Sequence, residues 1–242
     1  MFKKIALLSM SALFLLSVTS CDTLTGVLGS VTGSGGTAAL TNAQVTEGLK
    51  EALKQGVSKG VTTLSATDGF FKNPSVKVLF PPEANKVEKT LRDLGLGGQV
   101  DKAIEKLNRA AEDAAVGAKN IFVKAITNMT VSDAMGILMG EKNACTSYLK
   151  KTTSTDLFNS FKPVIKNSLN KVGALTAWNE VITRYNKIPM VQKVEPDLDT
   201  HVTNKAIDGL FSMVEKEEEN IRANPMARAT DLMKKVFAKQ DK

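Results

Sequence analysis

From Gln99 to about Met129 apolar side chains recur every three or four positions, at Val100, Ile104, Leu107, Ala111, Ala114, Ala118, Ile121, Ala125 and Ile126. That is the period of a helix with one buried stripe. At 1.5 Å per residue such a helix would be about 45 Å long. Its middle, with Ala110, Ala111, Ala114, Ala115, Gly117 and Ala118, is thin. Other helices pack closely around a long, thin rod, so this segment is expected at the centre. Aromatic residues make up only 5% of the chain, while Ala, Leu, Val, Lys and Glu dominate, a composition that favours helices. The expected fold class is all-α: an irregular multi-helix bundle around one long central helix, with room for one short β-ribbon.

The other elements follow from caps and periodicity. Thr41-Asn42-Ala43-Gln44 is a capping box for a helix to about Ser65, with Val45, Leu49, Leu53, Val57, Val61 and Leu64 inward. Beside that stripe Gly48, Ala52, Gly56 and Gly60 repeat every four residues, which predicts close helix approach. Val76–Phe80 and Ile188–Val194 are the two extended candidates, and together they would form the ribbon. Pro82 suits the first turn of a helix ending near Gly95. Thr130-Val131-Ser132-Asp133 is a second capping box, for a short helix that Gly140 ends. Further helices are expected over about Lys142–Lys151, from a cap at Thr153-Ser154-Thr155-Asp156 to Gly173 with a kink at Pro163, over Leu175–Asn186, and over Asp197–Arg222. Asn224-Pro225 would start a last helix running to about Lys239.

The N-terminus reads as an address. Met1-Phe2-Lys3-Lys4 is basic, and Ile5–Val18 is mostly apolar and uncharged, shorter than the roughly 20 residues of a membrane span. This is the pattern of a secretory signal peptide, covering residues 1–20. Val18-Thr19-Ser20-Cys21 is similar to a bacterial lipobox, which makes Cys21 the expected lipidation site, carrying a diacylglyceryl-type anchor. Residues 21–40 would then be the lipidated cysteine and a flexible Gly/Ser/Thr tether, and residues 41–242 a single helical domain. The expected location is the cell envelope, lipid-anchored, with the outer membrane favoured over the inner.

Two cysteines are present, so with Cys21 acylated only Cys145 remains and no intramolecular disulfide forms. The chain has one histidine, His201, too few donors for a zinc site. No glycine-rich phosphate loop, nucleophile elbow or zinc-binding helix motif occurs. No metal or cofactor is therefore expected. Net charge is +7 at pH 7. In an exported, tethered protein that charge suits anionic lipid or envelope polymers, and no nucleic-acid partner is expected. The run Glu215, Glu217, Glu218 and Glu219 reads as a solvated face, with a Glu218–Arg222 pair one turn apart.

Four segments resemble one bacterial lipoprotein family, the domain of unknown function (DUF) 4197. They are Leu107-Asn108-Arg109-Ala110-Ala111-Glu112, Met129-Thr130 with Asp133-Ala134, Gly140 with Ala144-Cys145-Thr146-Ser147-Tyr148, and Ile221-Arg222-Ala223-Asn224-Pro225 with Ala227-Arg228. The resemblance spans about Leu49 to Phe237 and implies a secreted, mostly helical domain. It implies no chemistry.

Asn108, Arg109 and Glu112 sit beside the stripe of the central helix, so a polar group is expected at a packing interface. The candidate polar groove comprises Asn108, Arg109, Glu112, Asp133, Thr146, Tyr148, Arg222 and Arg228. A satisfied network, with Glu112 pairing with Arg109 or with Arg222 or Arg228, is the structural reading. No catalytic residue is assigned. The functional expectation is a non-enzymatic envelope protein whose groove binds an envelope protein or a small molecule. The alternatives are a hydrolase using Asn108, Glu112, Asp133 and Tyr148, and a purely structural spacer.

Overall fold

The computed structural model describes residues 40–191, 193–194 and 197–238. The expected signal peptide, Cys21 and the tether up to residue 39 lie outside the described residues. The helices are α1 (Asn42–Ser65), α2 (Asn85–Asp93), α3 (Gly97–Ala115), α4 (Ala118–Thr127), α5 (Val131–Met139), α6 (Ala144–Lys171), α7 (Ala174–Tyr185), α8 (Leu198–Ala223) and α9 (Asp231–Phe237). Short 3-10 turns at Pro82–Ala84 and Pro225–Ala227 precede α2 and α9. No strand occurs among the described residues, so the domain is an all-α bundle.

Local signals set several ends. At α1 the Thr41 hydroxyl accepts the Gln44 N–H at 3.2 Å and the Gln44 side chain accepts the Thr41 N–H at 2.9 Å. Thr130 and Asp133 make the same reciprocal box at α5. The small-residue face of α1 does bring helices close: a Cβ on Gly48 would lie 2.7 Å from a Val236 methyl of α9.

The expected central rod is interrupted. The Gly117 N–H bonds to the Ala114 carbonyl at 3.1 Å, a tight 3-10 closure that ends α3 and leaves Val116 exposed. Glycine's poor helix propensity explains why the break falls there. α5 then turns away by 104° from the Gly97–Thr127 segment. The thin alanine face is nonetheless buried, with Ala111 and Ala115 at 0% exposure, and α3 packs against α1, α6 and α8. We expect Ala111→Leu to cost about 1–3 kcal/mol by overpacking. Urea midpoints check this, with the exposed Val116→Ala as the unaffected control.

Three other expectations are corrected. The helices expected over Lys142–Lys151 and from Thr153 are one helix, α6, with Pro163 inside it. The Thr153 hydroxyl donates to the Leu149 carbonyl at 2.6 Å and that of Ser154 to Lys150 at 2.6 Å, so these side chains bond back into the helix instead of capping a new one. Asn224-Pro225 starts only the 3-10 turn, and Thr230 caps α9 by accepting the Met233 N–H at 3.1 Å.

Among the described residues the β-ribbon does not form, for a specific reason. The Val78 N–H donates to the Asn108 carboxamide oxygen at 2.8 Å, and the Asn108 amide donates to the Val78 carbonyl at 2.8 Å. Asn186 does the same to Val194, at 2.9 Å each way. Each extended segment pairs with an asparagine side chain that mimics a strand's amide edge, so neither needs the other.

Candidate functional site

The groove residues do not converge. Asn108, Arg109 and Glu112 of α3 hold the loop between α1 and the first 3-10 turn. Glu112, 4% exposed, accepts the Phe70 N–H at 3.1 Å and the Phe71 N–H at 3.2 Å on one oxygen, and Arg109 at 2.8 Å on the other. Arg109 also reaches Asp68 at 2.7 Å. Hydrogen bonds from Lys72 and Arg109 hold the Asp68 carboxyl below its usual range, and bonds to Glu112 and Asp68 raise the Arg109 guanidinium. Asp68 takes a left-handed backbone conformation, φ 71°. Gly69 beside it has no room for a side chain, because a Cβ would overlap the Thr63 carbonyl oxygen. Glu112 therefore pairs with Arg109, and the expected reach to Arg222 or Arg228 is not made.

Arg222 belongs to a second cluster, on α8. Its guanidinium bonds to Glu218 at 3.0 Å and donates to the Ile137 carbonyl at 2.8 Å, in the last turn of α5. Glu218 accepts the N–H groups of Cys145 at 3.0 Å and Thr146 at 2.8 Å, and the Thr146 hydroxyl at 2.9 Å. The pair caps the C-terminus of α5 and the N-terminus of α6 at once, each charge facing the opposite end of a helix dipole. Asn143, the N-cap of α6, makes no side-chain cap itself. Glu218 is thus buried, at 7% exposure, and the expected solvated acidic face is corrected at this position and at the likewise buried Glu217, which bonds to Lys59.

Three residues stand apart. Arg228, buried, donates to the Ile221 and Arg222 carbonyls at 3.0 Å each and closes the end of α8. Asp133 caps α5, and hydrogen bonds from Thr130 lower its carboxyl. The Tyr148 hydroxyl bonds to the Ala125 carbonyl at 3.4 Å, and burial raises its phenol. Among the described residues no buried side-chain nitrogen or oxygen lacks a partner. Polar groups held this way support the fold.

Cys145 and His201 do not form a pair. The Cys145 N–H bonds to Glu218, and His201 lies seventeen residues earlier on α8, about 25 Å along its axis. Burial pushes the Cys145 thiol well above its usual range. No group of three or more metal-ligating side chains occurs among the described residues. His201 instead bonds to the Leu79 carbonyl at 2.9 Å, and burial lowers its imidazole. A base lowered in the folded state binds its proton better when unfolded. Its contribution is therefore complete above about pH 6.5 and is lost as pH falls through the folded-state value. We expect His201→Gln to flatten the loss of stability between neutral pH and pH about 5, read from thermal midpoints at each pH against wild type.

The feature that the sequence reading missed is a cleft of about 440 Å³ between α2, α3 and α7. Its apolar walls include Val87, Leu91, Val100, Leu107, Trp178 and Val181. Phe80 stacks on Trp178 at 5.3 Å between ring centres, with 14° between planes, and closes one side. Because Phe80 ends the loop that Asn108 holds at Val78, the α3 network also sets the cleft wall. Lys102 and Lys106 stand at the border of the apolar stripe on α3. Their position beside Val100, Ala103 and Leu107 is the signal that sequence reasoning could have used.

The family model described as "Protein of unknown function (DUF4197)" matches residues 39–238. The chain belongs to the DUF4197 family. The match covers every described helix of the DUF4197 domain, including both polar clusters and the cleft. No curated protein and no solved structure matches the chain.

Proposed function

We infer that this DUF4197 protein is a lipid-anchored envelope protein whose helical domain binds a small amphiphilic molecule without transforming it. The observation that carries this reading is the apolar cleft, whose volume of about 440 Å³ falls within the roughly 300–1,000 Å³ of small-ligand sites. The polar residues once grouped as a groove are engaged in capping and loop anchoring, which argues against a hydrolase built from them. The anchor rests on the lipobox-like Val18-Thr19-Ser20-Cys21, and the envelope location, with the outer membrane favoured, follows from the anchor. Among the described residues no single helix is long and apolar enough to cross a membrane.

The test is native mass spectrometry of the full-length protein extracted gently from its own membrane. A retained small molecule, lost when Ala103→Phe narrows the cleft, is the expected result. Protein that carries nothing in wild type and variant alike would leave a structural spacer as the better reading. In parallel, Cys21→Ser should release the domain from membranes or stall its processing, and a processed variant that stays bound would overturn the anchor.

A further inference from the structure

We propose that the cleft takes a fatty-acid anion, its tail along α2, α3 and α7 and its carboxylate between Lys102 and Lys106. The proposal rests on the cleft being a ligand site, as argued above, and adds the class of ligand.

Size suits the tail. The cleft of about 440 Å³ lies within the range of small-ligand sites and has room for an acyl chain along its apolar walls.

Charge selects the head. Lys102 and Lys106 are one helical turn apart and share a face of α3, and both line the cleft. The Lys106 ammonium donates to the Val172 carbonyl at 3.1 Å, which brings it to the mouth beside Gly173 and Ala174. Among the described residues neither lysine has a carboxylate within salt-bridge reach. The acidic residue of the lining, Glu88, bonds to Arg92 at 2.9 Å, which also holds Asp101 at 2.8 Å, so this group keeps one net negative charge, outside the salt-bridge reach of the two lysines. The mouth therefore carries two lysine charges that no salt bridge engages, above an apolar interior. The first turn of α7 adds to this field. Its N-cap, Gly173, has φ 68° and no side chain to cap the helix, so the positive end of the dipole opens where Gly173 and Ala174 line the cleft. A neutral chain would gain the apolar burial alone, and a cationic one would be repelled.

The chain supplies its own reporter. Trp178 is the only tryptophan of the chain, and it lines the cleft. Titration of the full-length protein with dodecanoate, 1-dodecanol and dodecyl phosphate, followed by Trp178 emission, tests the proposal. Dodecanoate should bind about five- to tenfold tighter than dodecanol, and the Lys102→Gln/Lys106→Gln variant should lose that preference while still binding dodecanol. Equal binding of acid and alcohol by wild type overturns the head-group assignment and leaves the cleft reading standing. Tighter binding of the phosphate than of the carboxylate overturns the class named. A preference that survives in the double variant overturns the role of the two lysines. If none of the three ligands binds, the cleft reading fails, and the proposal with it.

Discussion

Glu218→Ala is expected to cost about 3–5 kcal/mol, the usual penalty for removing one member of a buried ion pair. The loss has two sources. The Arg222 guanidinium, whose side chain is 11% exposed, keeps its charge without the carboxylate 3.0 Å away. The Cys145 and Thr146 N–H groups in the first turn of α6 lose their acceptor in a place that water reaches poorly. Glu218→Gln keeps one oxygen for these donors and should cost less than alanine. Urea denaturation of both variants measures the difference. In a double-mutant cycle, adding Arg222→Ala should cost less than the sum of the single changes. A loss below about 1 kcal/mol for Glu218→Ala would mean that the pair behaves as a surface bridge.

Glu112→Ala should be destabilising on the same scale, about 3–5 kcal/mol, with a different local signature. Its carboxylate gathers the Phe70 and Phe71 N–H groups and Arg109, and so ties the loop after α1 to α3. Phe70 is fully buried, and its ring packs so near Gly209 of α8 that a Cβ there would lie 2.9 Å away. Loss of Glu112 should therefore loosen the seat of Phe70 as well. Amide hydrogen exchange at Phe70, Phe71 and Val78 distinguishes the two effects. Faster exchange at Phe70 and Phe71, with Val78 still protected by Asn108, is the expected pattern. Equal acceleration at all three would mean that the loop opens as one unit and that the two α3 side chains do not act separately.

What could be read from sequence divides by range. The boxes at Thr41–Gln44 and Thr130–Asp133 close within three residues, so their residues alone carry them. The stripes of α1, α3 and α8 are likewise periodic along one helix. The Glu218–Arg222 pair, one turn apart, was legible in the same way, but the burial of Glu218 and its hold on α6 were beyond that reach. Its own neighbourhood, Glu215 to Glu219, looks like a charged surface, and its partners lie 72 and 73 residues away. Of the two asparagines that replace a strand partner, Asn108 has the same property. Asn108 looked like a polar residue on a helix edge, yet it acts 30 residues away at Val78. The central and last helices failed differently. The break at Gly117 and the start of α9 at Asp231, capped by Thr230, are set by local residues that the apolar period does not register. The cleft belongs to no single segment. It arises from the spacing of three helices, and only the lysine border of α3 hinted at it.

The close packing of α1 against α8 and α9 has a consequence for the order of assembly. Gln55 bonds to the Ala227 carbonyl across 172 residues of chain, and Glu51 accepts the Thr230 hydroxyl across 179. The glycine face of α1 thus finds its cover only when α8 and α9 have been synthesised, although α3, α4 and α5 can reach other parts of that helix earlier. Contacts this distant in the chain slow folding, because a large loop must close before they form. A nascent chain halted after α7 would present the glycine face of α1 with nothing to cover it. Folding of this domain is therefore expected to follow completion of the chain, and a polypeptide that stays open until its end emerges is one that can still be threaded through a narrow channel.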